Sequence, residues 1–202
     1  MGHVMGHAGM AATAVRYLRS AGTPTAVGPH SGRRLRAVRD DERPAVDPGE
    51  FRRVLGHFAS GVTVVTALGP EGPAGFACQS FASLSLDPPL VAFMVARTSR
   101  TWPHIARAGA FCVNILGADQ GELCLGFARS GTDKFAGVAH TPAPVTGSPR
   151  LEGAPAWIDC AIAQVHTGGD HLIVVGRVEA LGAAGEGIPL LFHRGRFGRF
   201  TP

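Results

Sequence analysis

The sequence predicts a mainly β protein, an antiparallel barrel with a few peripheral helices. Three observations lead there. Short apolar runs rich in β-branched residues recur between turn residues from about position 60 onward. Several adjoining runs are separated by only a few Gly, Pro or Thr residues, too few for a helical crossover, so they pair as hairpins. The helical patterns are too few to alternate one-for-one with the strands, which argues against a doubly wound parallel sheet. Barrel closure is one way such a chain removes its sheet edges.

Residues 1–46 are rich in Gly, Pro, Ala, Arg and His and poor in periodic apolar positions. They read as a solvated N-terminal extension, with a short helix expected over Ala11–Ser20. His3, His7 and His30 lack a neighbouring acid or cysteine and read as tail residues, not as metal ligands. The ordered domain is expected over 47–202. Asp47 can cap a first helix with Pro48 in its first turn, and Phe51, Val54, Leu55 and Phe58 mark one buried face, the helix ending at Gly61. GVTVVTAL (61–68) is a strand, GPEGP (69–73) a turn, and Ala74–Ser80 the returning strand of a hairpin. PPLVAFMVA (88–96) reads as a strand apolar enough to be buried on both faces. SRTWPHIARAG predicts a helix capped by Ser99 or Thr101. AFCVNILG is a strand, and DQGELCLGFARSG a helix ending at Gly131. After a Pro- and Gly-rich loop, residues 157–181 form two strands joined at Thr167–Gly169. IPLLFHRGRFGRF gives two short closing strands. The expected total is about seven strands and three helices.

The bulk properties narrow the function. The chain has 202 residues and 45% hydrophobic content, enough for a packed core. No apolar run reaches the roughly 18–20 residues that span a bilayer, and the start lacks the layout of a signal peptide. The four cysteines (Cys78, Cys112, Cys124, Cys160) lie far apart with no Cys-x-x-Cys pair. That spacing argues against a zinc site or disulfide framework and fits a reducing cytoplasm. The net charge of +4 is modest, with arginines concentrated in the first 45 residues and no continuous basic stripe, so nucleic-acid binding has little support.

Three stretches could carry chemistry. FACQSFASLSLDPPLV (76–91) places Gln79, Ser80, Ser83 and Ser85 in a polar bend between strands. Hydroxyls and free N–H groups suit an acceptor-rich ligand such as a flavin edge or a phosphate, but serine turns also satisfy their own backbone. ARTSRTWPHI (96–105) sets Ser99 and Thr101 beside Arg97 and Arg100 at a helix start, which suits a phosphate or simple capping. GGDHLIVVGRV (168–178) opens with Gly168-Gly169, a hairpin signal, followed by Asp170 and His171. The residues alone leave each of these open. There is no G-x-G-x-x-G after a strand and no Walker loop, so the sequence carries no Rossmann or P-loop signature.

Taken in order, a series of motifs resembles the short-chain flavin reductases, the reductase components of two-component flavin-dependent monooxygenases. The motifs are FASGVTVVTA (58–67), QSFASLSLDPPLV (79–91), RTSRTWPHIA (97–106), FCVNIL (111–116), FA (127–128) with TDKFAG (132–137), WIDC (157–160), GGDHLIVVGRV (168–178) and PLLFHRGRFGRF (189–200). The resemblance implies a mainly β, antiparallel, Greek-key-like FMN-binding split barrel that forms a homodimer. It implies FMN or FAD as flavin and NADH or NADPH as donor. Carried over by position, Ala77, Cys78, Gln79, Ser80, Phe81, Ser83 and Leu84 would line the flavin. Ser99, Arg100 and Thr101 would hold its phosphate. Gly169, Asp170 and His171 would face the nicotinamide, with His171 the catalytic candidate. Ala77-Cys78-Gln79 departs from the commoner Thr-Ala-Asn, Phe197 stands where an aromatic hydroxyl is common, and Pro155 stands where an aliphatic residue is usual. The implied activity is reduction of free flavin for a partner monooxygenase, with no protein nucleophile, metal, membrane or nucleic acid. The rival readings are a flavoenzyme that keeps its flavin and acts directly on a small substrate, and a non-catalytic flavin-binding protein.

Overall fold

In a computed structural model of the chain, the described residues are 46–131, 133–184 and 187–201. The expected helix at Ala11–Ser20, the histidines His3, His7 and His30, and Thr132 lie outside them. Among the described residues the elements are α1 (Pro48–Leu55), β1 (Ser60–Gly61), β2 (Thr63–Gly69), β3 (Gly72–Cys78), β4 (Phe81–Leu86), β5 (Pro89–Ala96), α2 (Trp102–Ala108), β6 (Ala110–Ile115), α3 (Gly121–Ala128), β7 (His140–Pro142), β8 (Pro149–Leu151), β9 (Ala156–Gly168), β10 (His171–Ala183), β11 (Leu190–His193) and β12 (Arg196–Arg199).

The fold is mainly antiparallel β. The main sheet has seven strands in the order β3-β2-β6-β9-β10-β5-β4, built on the hairpins β2–β3, β4–β5 and β9–β10. Its two end strands, β3 and β4, are joined in sequence by Gln79 and Ser80 alone. Laid flat, six strand spacings would hold them about 29 Å apart. Two linking residues reach no more than about 11 Å. The sheet must therefore curl until its edges meet at Gln79–Ser80, yet the hydrogen-bonded ladder does not continue from β3 to β4. This is the geometry of a split barrel.

β2 is the wall shared by two cores. Val65 and Ala67 face one cluster with Phe93, Ile105, Phe111, Val113 and Val174, while Val64, with Val62 just before the strand, faces another with Leu116, Phe127, Leu151 and Leu190. Two-face burial thus belongs to β2, where the sequence expects it of β5. On β5 the burial alternates instead: Val91, Phe93 and Val95 point inward, and Met94 is 42% exposed. The outward face of β5 becomes part of the site.

Other expectations also change. Asp47 does cap α1, accepting from the Glu50 N–H at 2.8 Å. The helix stops at Gly56 rather than Gly61: the Gly56 N–H makes the last i to i−4 bond, to Arg52 O, and the next two, His57 to Val54 and Phe58 to Leu55, tighten to i−3. Its apolar face is open in the single chain, with Phe51 at 55% and Phe58 at 81% exposure. Periodicity identifies an amphipathic helix but not what covers it. Residues 81–86, read as a polar bend, form the edge strand β4 with a register shift between Ser83 and Ser85. The Pro- and Gly-rich loop contains the β7–β8 hairpin.

That hairpin region is fixed by buried polar groups. Asn114 donates to the Val64 carbonyl at 3.2 Å and accepts from the Leu151 N–H at 2.8 Å. Asp159, fully buried, accepts from the Val145 and Thr146 N–H groups at 3.0 and 3.1 Å. Both side chains replace bonds that an irregular segment cannot make for itself.

Candidate active site

A cleft of about 530 Å³ lies on the outer side of β5. Its lining includes Met94 and Ala96 on β5, flanked by Ser80 at the β3–β4 link and by His171 at the start of β10. The register explains this grouping. His171 pairs with Ala96 and Ile173 with Met94, and paired residues of antiparallel strands share a face. Alternation along β5 then sends Phe93 and Val95 into the core.

Gly168, Gly169, Asp170 and His171 form a hairpin corner. Gly168 pairs with His171 across a two-residue turn, Gly169 takes φ 67°, and the Arg97 N–H donates to the Asp170 carbonyl at 3.0 Å. The corner is thereby pinned over the end of β5. Asp170 Oδ1 and His171 Nδ1 lie 2.7 Å apart. This bond, and then the imidazole's charge, hold the Asp170 carboxyl below the usual carboxylate range. The Asp170 side chain is 94% exposed, whereas His171 turns partly into the cleft.

The opposite wall comes from α3, whose Cys124 and Ala128, four positions apart, line the cleft together with Leu125. Lys134 sets the position of this helix. Its Nζ donates to Phe127 O at 2.9 Å and to Gly75 O at 3.2 Å, tying the last turn of α3 to β3. Burial lowers the Lys134 pKa from the usual lysine value. Gly75 permits the approach, since a Cβ there would lie 2.9 Å from the Phe127 ring. Phe192 and Phe197, with ring centroids 5.6 Å apart, contribute the remaining aromatic surface. Burial also raises the Cys78 thiol pKa, only partly offset by its bond to Ser80.

Of the residues singled out from sequence, Ala77, Cys78, Gln79, Ser80, Ser99 and His171 line this one cleft. They come from three distant stretches of chain. Phe81, Ser83, Leu84, Arg100, Thr101, Gly169 and Asp170 are outside its lining. Phe81 packs against the core, and Ser83 and Leu84 lie exposed on β4. Ser99 Oγ accepts from the Trp102 N–H at 3.2 Å and so supports the start of α2, while Thr101 makes no side-chain cap bond. The sequence reading missed Phe76, Met94, Ala96, Cys124, Leu125, Ala128 and Phe192. Period-two alternation on β5 and the i, i+4 spacing on α3 are the signals that could have marked Met94 with Ala96 and Cys124 with Ala128.

Residues 55–201 match the model of the flavin reductase like domain. The chain belongs to the flavin reductase family. It is 50% identical over 158 residues to the reductase subunit HsaB of a flavin-dependent monooxygenase from Rhodococcus jostii, covering 78% of this chain and 80% of that protein. Among solved structures, it is similar to nitrilotriacetate monooxygenase component B from Mycobacterium thermoresistibile (47% identity, TM-score 0.74, 76% of this chain and 87% of that one). It is also similar to an NADH:FAD oxidoreductase from Streptomyces globisporus (37% identity, TM-score 0.73, 79% and 99%). The matched residues include both cores and all the residues that line the cleft.

Proposed function

We propose that this flavin reductase oxidises NADH or NADPH, reduces FMN or FAD, and releases the reduced flavin to a partner monooxygenase. The observation that carries the reading is the convergence of Ala77–Ser80, Ser99 and His171 on one cleft in a chain so similar to monooxygenase reductase subunits.

The residues fit a flavin. The cleft volume lies within the roughly 300–1,000 Å³ of small-molecule sites. Its wall is largely apolar (Phe76, Met94, Leu125, Phe192, Phe197), and Gln79, Ser80, Ser99 and His171 supply polar groups at separate points. An apolar slot with a few placed polar groups suits a flat ring with polar edges. When bound, the flavin supplies a two-electron acceptor and the nicotinamide supplies the electrons; the chain itself provides position and field.

In this account Ala77–Ser80 present backbone to the ring system, and Ser99, with Arg100 and Thr101 beyond it, faces the phosphate. The Gly169–His171 corner brings His171 over the end of β5. There its imidazole, oriented by Asp170, positions the nicotinamide and can share a proton with its amide. Phe81, Ser83 and Leu84 act indirectly, through β4. The exposed apolar surface of β4, including Leu84 and Leu86, supports a homodimer. Four buried free thiols support a reducing cytoplasm. Among the described residues no helix is long and apolar enough to cross a membrane.

The test is steady-state oxidation of NADH and NADPH with FMN, FAD and riboflavin, followed by gel filtration with flavin. Rapid turnover with added flavin and loss of flavin on the column support the proposal. Flavin binding without turnover would identify a carrier. Flavin retained through the column, with turnover only on a further substrate, would identify a self-contained flavoenzyme.

A further inference from the structure

We propose that a second cavity beside the flavin cleft takes the adenosine diphosphate half of a dinucleotide. This rests on the reductase reading and deepens it. The cavity, of about 770 Å³, lies between α1 and the β11–β12 turn. Gln79 and Phe192 line both cavities, so the two adjoin.

Two features of its wall match that chemistry. Phe51 and Phe58 leave their rings open to the cavity side of α1, at 55% and 81% exposure, and an exposed ring is a stacking surface for a base. Guanidinium groups stand beside them on Arg52, Arg53 and Arg194. Arg53 is occupied by Glu50, both of its bonds measuring 2.7 Å. Arg52 and Arg194 have no carboxylate partner among the described residues. Two such groups suit a diphosphate, whose oxygens accept the paired N–H bonds that guanidinium offers.

The backbone at Arg194 is an independent pointer. Among the described residues, Arg194 is the one non-glycine with positive φ, at 49°, and Gly195 follows at 80°. A two-residue hairpin turn with both central residues in this region favours Asn-Gly. Arginine has no conformational reason to be there. Its N–H donates to the Gly56 carbonyl at 3.1 Å, locking the turn against the end of α1. A strained arginine held at a fixed place beside open aromatic rings is a charge positioned for a ligand.

Adenosine diphosphate could belong to NAD(P)H or to FAD, and the experiment separates them. The variant is Arg52→Gln with Arg194→Asn; asparagine suits the turn, so the melting temperature should not fall because of Arg194. Calorimetry with ADP itself should show affinity weakened about tenfold, the effect of losing a charge-assisted phosphate bond. If the source is NADH, its KM with FMN as acceptor rises in parallel while the ratio of FAD to FMN affinity holds. If the source is FAD, that ratio falls while the KM for NADH holds. Either pattern supports the site. Unchanged ADP affinity, NADH KM and FAD-to-FMN ratio in the folded variant would overturn it. Failure of the reductase reading looks different: the wild type would oxidise neither NADH nor NADPH with any flavin, while its calorimetric response to ADP could still be read.

Discussion

Ser80 Oγ donates to the Met94 carbonyl at 2.9 Å and accepts from the Met94 N–H at 3.1 Å. One hydroxyl thus completes both backbone bonds of a β5 residue just where the β4 ladder has ended. The serine of the QSFASLSL stretch is tied to the strand beneath the cleft. Removing it should cost about 1–2 kcal/mol, two net hydrogen bonds. Ser80→Ala should lower the urea midpoint accordingly and weaken flavin binding several-fold, and Ser80→Thr should restore both. Urea unfolding and a flavin titration check this; an alanine variant matching wild type in both contradicts it.

Asp170 has a pH signature of defined sign. Its carboxyl is held below the usual range by the His171 bond, so its contribution to stability is present above the unfolded-state value of about 4 and is lost as pH falls through the folded-state value. Being fully exposed, that contribution is small. The gap in melting temperature between wild type and Asp170→Asn should therefore be small at pH 7 and close as pH drops below about 4. A gap that widens on acidification would contradict the ion-pair reading.

Gly176 lies opposite Phe111. A Cβ added at Gly176 would overlap Phe111 Cζ and sit 3.2 Å from Cys160 Cβ. Both neighbours are fully buried, so neither can swing aside. Gly176→Ala should cost about 1–3 kcal/mol by overpacking. Chemical denaturation measures it, and a compensating Phe111→Leu should recover part of the loss.

Burial also predicts thiol behaviour. It pushes Cys112 and Cys160 up to about 12, with Asp159 adding to the rise in each and Cys112 adding further to that of Cys160. A thiol with that pKa is almost entirely protonated at pH 8 and so a poor nucleophile. Native protein should leave both unlabelled by iodoacetamide at pH 8, and labelling should follow in denaturant. Peptide mapping reads the sites.

Much of this architecture was legible because local chemistry dictated it. Asp47 and Pro48 announce α1, and the Gly168–Gly169 pair announces the β9–β10 hairpin. The gathering of Ser80, Ser99 and His171 could not be read by adding up residues, because it depends on a register between β5 and β10. Only the resemblance of motifs points to it. Three features stayed hidden for the same kind of reason. The serine pattern at 81–86 fits a bend as well as an edge strand, and pairing with β5 decides it. The open face of α1 has the period of a buried one. Asn114 and Asp159 look ordinary until the backbone groups of distant segments, which they satisfy, come to meet them.

On the proposed reading, the cleft holds a flavin which His171, at the hairpin corner, serves with a nicotinamide. The most direct test is anaerobic stopped-flow of the flavin-loaded protein mixed with NADH, following the visible flavin absorbance in wild type and His171→Ala. The account predicts rapid bleaching in wild type and bleaching slowed at least tenfold in the variant, about 1.4 kcal/mol of barrier or more, with flavin affinity changed less than about threefold. Equal bleaching rates in the two proteins would contradict it.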